Sequence, residues 1–96
     1  MTGLGISSER LIELDIQVGK ILYGWDNNNR LQSPAFIDFF IKLSHQNIET
    51  YKEYYDKYYP YSYKMSPKWD KTFFNLIQEE YNKNEFNRKI KGYINE

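Results

Sequence analysis

Residues 33–60 read SPAFIDFFIKLSHQNIETYKEYYDKYYP, and this stretch carries the clearest helical periodicity in the chain. Ser33 can cap a helix, and Pro34 suits its first position because the amide there would be unpaired anyway. One stripe of side chains then recurs every three to four residues, until Pro60 ends it because proline does not fit inside a helix. We therefore predict one long helix over about 34–59. The stripe consists of Ile37, Ile41, Ser44, Ile48, Tyr51, Tyr55 and Tyr58.

The residues before this stretch predict a first helix over about 8–24. Ser7 or Ser8 can cap it, and apolar residues follow at helical spacing. A half-buried strand is the alternative, since four apolar residues also alternate with polar ones and Gly19 is costly inside a helix. Those four are Ile12, Leu14, Ile16 and Val18.

The residues after Pro60 predict at least one more helix. Ser66-Pro67 repeats the start signal, and apolar spacing runs on from Trp69. The regularity fades at residues 82–84 and then resumes, so the tail is either a bent continuation or a short fourth helix that ends by Gly92. The predicted fold is all-α: a small three- to four-helix bundle with a long central helix, formed by a single domain over residues 1–96.

One short segment resembles a known family. Leu14-Asp-Ile-Gln-Val-Gly-Lys-Ile21 is similar to the opening strand of the tRNA-binding OB-fold family, over eight residues of 96. The resemblance implies a strand there. The capped helical periods that follow depart from that barrel, so no functional residue is carried over.

Composition favours a globular cytoplasmic protein and excludes several kinds of site. Thirteen Lys and Arg residues balance thirteen Asp and Glu residues, so no overall field attracts nucleic acid or an acidic membrane. The chain has no cysteine, which removes disulfides, thiol nucleophiles and zinc–thiolate centres. It has no leader-like start and no apolar run near the ~20 residues of a spanning helix, so we expect no membrane partner.

Tyrosine is concentrated between residues 51 and 63, where seven of thirteen residues are tyrosines. These rings either fill the core of a thin bundle or form an exposed contact surface, and tyrosine suits such a surface because it joins a large ring to a hydroxyl. Because the pattern is too dense for one buried helix face, we expect part of it to be exposed. The candidate partner-binding residues are Tyr54, Tyr59, Tyr61, Tyr63 and Trp69.

The same region alternates lysines with aromatic residues, which could neutralise phosphates while rings stack on bases. Nucleic-acid or nucleotide binding is therefore the alternative function. The acidic residues just upstream and the balanced total charge disfavour it. Its candidate residues are Lys57, Lys64, Lys68 and Lys71.

No catalytic set emerges from the sequence. His45 is the single histidine, and with Glu49 it supplies two ligands at i, i+4 spacing, which do not make a metal site. We expect no enzyme activity, metal or cofactor. The leading hypothesis is a small protein-binding module of inhibitor, adaptor or subunit type that covers a larger protein partner, in keeping with a phage or mobile-element origin. A homo-oligomer closed by the tyrosines is a further alternative.

Overall fold

Four α-helices make up most of the computed structural model, which describes residues 3–24, 34–59 and 67–94, with side chains as far as residue 91. Those ranges contain no strand. The predicted all-α bundle with a long helix is confirmed, but the long helix is the C-terminal one, whose 28 residues span about 42 Å at 1.5 Å per residue. The helices are α1 (Ser8–Tyr23), α2 (Pro34–Ser44), α3 (Ile48–Tyr58) and α4 (Pro67–Ile94).

Helix α1 is held at both ends by caps. The Ser7 hydroxyl accepts a hydrogen bond from the Arg10 amide at 3.2 Å. Gly24 ends the helix in the left-handed conformation, with φ 68°, and its amide donates to the Lys20 carbonyl at 3.0 Å. The helix predicted over about 8–24 is confirmed, and the strand alternative, including the strand implied by the OB-fold resemblance, is wrong. Burial follows helical spacing: the buried residues are Leu11, Leu14, Asp15, Val18 and Gly19.

A turn at residues 45–47 separates α2 from α3, so the prediction of one continuous helix over 34–59 is wrong. The Gln46 amide donates to the Leu43 carbonyl at 3.0 Å, which tightens the end of α2. Asn47 leaves the helical region, with φ −85° and ψ 167°, and its side chain accepts from the Thr50 amide at 3.0 Å. Because this cap satisfies an amide that a helix start leaves open, α3 can begin directly after the turn.

The N-terminal segment packs against the end of α2. The Leu4 amide donates to the Ser44 carbonyl at 3.3 Å, and the Leu4 side chain is fully buried. Gly3 allows this approach: its φ is 124°, and a Cβ at this position would lie 2.8 Å from the Ser44 carbonyl oxygen.

Helix α4 runs antiparallel to α1 as one continuous helix. The Arg10 guanidinium donates to both Glu80 carboxylate oxygens, at 3.1 Å and 3.2 Å. One turn further along α4, the Asn84 side-chain amide donates to the Gly5 carbonyl at 3.2 Å. The asparagines at 82 and 84 therefore do not end the helix, and of the two predicted alternatives for the tail, continuation is the one observed.

Aromatic rings supply much of the core. Phe73 of α4 lies 6.1 Å from Phe40 of α2 and 5.1 Å from Tyr55 of α3, measured between ring centroids. Asp15 is the one buried charged residue in the described part of the chain. The buried apolar residues are Leu4, Ile6, Leu11, Leu14, Val18, Phe36, Phe39, Phe40, Leu43, Tyr51, Tyr55, Tyr59, Trp69, Phe73 and Ile77.

Candidate functional site

Helix α3 divides its tyrosines between the core and the surface. Tyr51, Tyr55 and the C-capping Tyr59 follow one another at i, i+4 spacing and are 1%, 3% and 4% exposed. Tyr54 and Tyr58 share the neighbouring face, where Tyr54 is half-buried and Tyr58 is 52% exposed. The expectation that part of the cluster stays exposed is thus met within α3 by Tyr54 and Tyr58, while the other three rings fill the core.

Two of the predicted contact residues, Tyr59 and Trp69, are not on the surface. Trp69 is fully buried, and its indole Nε1 donates to Asp15 Oδ1 at 2.9 Å. The Tyr59 hydroxyl donates to the same oxygen at 3.5 Å. Their predicted exposure is wrong because each polar tip bonds to this buried carboxylate, which allows the rings to enter the core.

Asp15, which accepts hydrogen bonds from Tyr59 and Trp69 in the core, was not among the residues predicted from the sequence. The available signal was its position: it lies four residues after Leu11 and three before Val18, within the apolar stripe of α1. A carboxylate on a core-facing stripe needs hydrogen-bond donors from other elements, and here they come from the end of α3 and the start of α4. One carboxylate therefore ties three helices together.

The surface tyrosines form a layered aromatic pair, which we call the Tyr54–Tyr58 pair. Their ring centroids are 4.7 Å apart and the planes are tilted by 40°. Beneath them, Phe39 of α2 stacks on Tyr54 at 6.0 Å. The Lys57 ammonium lies 5.2 Å from the centroid of the Tyr58 ring, within the range of a cation–π contact. The pair is therefore supported from below by α2 and presented outward.

Shallow depressions lie on both sides of the Tyr54–Tyr58 pair. One, of about 270 Å³, is formed between α2 and α3, and the other, of about 210 Å³, follows α3. The Asp38 carboxylate lies 3.0 Å from the Lys42 ammonium beside the first, and this hydrogen bond raises the pKa of Lys42. Charge around the pair is thus balanced. Besides the two tyrosines, the depressions are lined by Ala35, Asp38, Phe39 and Lys42, and by Gln46, Thr50, Glu53 and Lys57.

The remaining predicted site residues are only partly described. Lys57, Lys68 and Lys71 are exposed, with the last two on the first turns of α4. The predictions for Tyr61, Tyr63 and Lys64 lie outside the described residues.

The buried phenols differ chemically from the surface pair. Burial raises the pKa of the Tyr51 hydroxyl above its ordinary value of 10.0, and nearby Asp56 adds to the shift. Burial also raises the pKa of the Tyr55 hydroxyl, with a further contribution from Tyr59. These core phenols are therefore neutral wherever the bundle is folded at ordinary pH.

Comparison with known proteins assigns no family to the chain. No protein-family model, curated protein or solved structure matches it. Across the described ranges, no group of three or more His, Cys, Asp and Glu side chains could hold a metal ion. Within the described ranges, no helix is both long enough and apolar enough to cross a membrane.

Proposed function

We propose that the protein is a non-enzymatic protein-binding module that covers a surface of a larger partner with the Tyr54–Tyr58 pair. One observation carries the proposal: Tyr58 is 52% exposed and packs against Tyr54 at 4.7 Å, while the other described tyrosines of α3 are buried in the core. A large ring that a small bundle leaves exposed and preordered is the kind of side chain that dominates binding energy in interfaces.

The surroundings of the pair suit a protein better than a small molecule. The two depressions of about 270 and 210 Å³ are smaller than the ~300–1,000 Å³ of typical ligand pockets. They flank a ridge of aromatic rings, which fits the broad contact area of a protein partner. Inhibitor, adaptor and subunit roles all use such a surface, and the absence of cysteine favours a cytoplasmic site of action.

The test is capture of partners from a lysate of the source organism by immobilised protein, followed by mass spectrometry. A Tyr54→Ser/Tyr58→Ser variant should lose its specific partner, since truncating a central aromatic contact costs about 2 kcal/mol or more, about 30-fold in affinity. The matched control is Ile21→Ser, which removes a side chain that is 56% exposed on α1. Equal capture by the double variant, with its helical circular dichroism intact, would refute the proposal.

Binding of single-stranded nucleic acid is the second candidate, favoured by the Lys57 ammonium above the Tyr58 ring and by the exposure of Lys68 and Lys71. It predicts affinity for a labelled oligonucleotide that falls as salt rises from about 50 to 200 mM. A Lys57→Gln/Lys68→Gln/Lys71→Gln variant should reduce the logarithmic salt slope by about 0.7 for each lost phosphate contact. Binding that does not respond to salt would remove this candidate.

A symmetric homo-oligomer closed by the Tyr54–Tyr58 pair is a different use of the same surface. Sedimentation velocity separates it from a partner-binding monomer. A single monomeric species at high protein concentration would exclude it.

A further inference from the structure

The C-terminal end of α4 continues beyond the start of α1, beside Gly5 of the N-terminal segment. Helix α1 has 16 residues, about 24 Å, whereas α4 has 28, about 42 Å. The hydrogen bond from Asn84 to the Gly5 carbonyl joins α4 to the segment that precedes α1, and ten residues of α4 follow Asn84. After Ile77, no side chain of α4 as far as residue 91 is buried. We call residues 83–91 the α4 overhang.

The α4 overhang carries an apolar stripe on its surface. Phe86 is 61% exposed and Ile90 is 38% exposed. Their i, i+4 spacing places them on one side of the helix, one turn apart. This spacing is part of the i, i+3, i+4, i+7 pattern by which an amphipathic helix anchors against another apolar surface.

Two lysines flank this stripe. Residues 83–91 contain Lys83, Arg88, Lys89 and Lys91 against one acid, Glu85, so their net charge is 4 − 1 = +3, and Glu79 and Glu80 lie one turn before Lys83. All four basic side chains are exposed, and Arg88 forms an ion pair with Glu85. At about 100° per residue, Lys83 and Lys89 fall on opposite sides of the line through Phe86 and Ile90. The stripe is therefore flanked by a cation on each side.

The apolar stripe and its flanking lysines favour one kind of binding partner over two others. A second copy of the overhang would place like-charged lysines beside one another along the seam, which disfavours self-association. A bilayer would bury only two apolar side chains, which contribute about 1.5–3 kcal/mol each. This is less than the contribution of the single acyl chain that by itself gives only marginal membrane binding. The cations would add about 1 kcal/mol each near anionic phospholipid, so vesicles of that lipid are the competing probe in the test. A helix with apolar seam residues and flanking carboxylates complements both the stripe and its cations.

We propose that the α4 overhang is a second docking surface, which packs against an acidic amphipathic helix of a partner protein. Phe86 and Ile90 pack against the apolar seam of the partner helix, and Lys83 and Lys89 pair with carboxylates on the two sides of that seam. This surface is separate from the Tyr54–Tyr58 pair, so either proposal can fail without the other.

The probe is a fluorescein-labelled synthetic peptide of three heptads, about 21 residues, with leucine at the a and d positions and glutamate at the e and g positions. Fluorescence anisotropy with the full chain should show binding that weakens as salt is raised. Phe86→Ser/Ile90→Ser should lower the affinity at least tenfold, and Tyr54→Ser/Tyr58→Ser should leave it unchanged.

Two further comparisons test whether charge and residue order determine binding of the peptide. A Lys83→Glu/Lys89→Glu variant should lose the acidic peptide and bind the same peptide with lysine in place of glutamate. A peptide of identical composition in scrambled order should bind at least tenfold more weakly than the patterned one. The proposal is overturned if the patterned peptide does not bind, if the scrambled peptide binds as well, or if only vesicles of anionic phospholipid bind.

Discussion

The partition of the α3 tyrosines predicts stability effects of very different size for Tyr55 and Tyr58, which lie one turn apart. Tyr55 is 3% exposed, with its ring centroid 4.4 Å from that of Tyr59 and 5.1 Å from that of Phe73. Truncation of a buried aromatic residue to alanine costs about 3–5 kcal/mol. At roughly 0.05–0.15 kcal/mol per residue, a chain of 96 residues has about 5–14 kcal/mol of stability, so Tyr55→Ala removes a large part of it.

Tyr58→Ala is the matched control, because its ring is 52% exposed. A surface substitution changes the free energy of unfolding by about 0.5 kcal/mol or less, and alanine favours the helix. Urea denaturation, monitored by circular dichroism at 222 nm, measures the free energy of unfolding of both variants. With a slope of about 2 kcal/mol per molar urea, Tyr55→Ala should lower the midpoint by about 2 M, and Tyr58→Ala by at most a few tenths. Equal midpoint shifts for the two variants would refute the partition.

Three smaller predictions concern the caps, the N-terminal segment and pH. Asn47→Ala removes the α3 cap and should cost about 1 kcal/mol in thermal unfolding, with Asn47→Asp nearly neutral. Gly3→Ala should destabilise the fold in the same assay, because its Cβ would meet the Ser44 carbonyl at 2.8 Å, and an unchanged melting temperature would contradict that contact. Burial raises the pKa of Tyr51 and Tyr55 above the unfolded value of about 10, so their contribution to stability is full below about pH 10 and is lost as pH rises beyond it. In an alkaline titration, phenolate absorbance from these two residues should appear only together with loss of helix.

The N-terminal cap of α1 was predictable to within one residue. The sequence offers Ser7 or Ser8, and Ser7 is the cap observed, while Gly24 ends the helix in the left-handed conformation. The turn at residues 45–47 was not predictable from periodicity, since the apolar stripe continues through it without a glycine or proline. Asn47 was the available signal, because asparagine is a strong helix cap that is unfavourable inside a helix.

The identity of the exposed tyrosines could not be obtained from spacing alone. Tyr59 and Trp69 are distant in sequence from Asp15, and only the folded chain brings their polar tips to its carboxylate. Because both polar tips bond to the Asp15 carboxylate in the core, neither ring is exposed. Tyr54, one of the predicted contact residues, is half-buried, whereas the more exposed Tyr58 belongs to the stripe of the predicted continuous helix.

Hydroxyl-radical footprinting, with and without the captured partner, tests the central claim most directly. In the free chain, Tyr58 should be oxidised strongly and Tyr54 moderately, while Tyr51, Tyr55 and Tyr59 should react little. Binding of the partner should protect Tyr54 and Tyr58 and leave the buried tyrosines unchanged. Oxidation of Tyr58 at the same rate in the free and bound chain would contradict its proposed role as the contact residue.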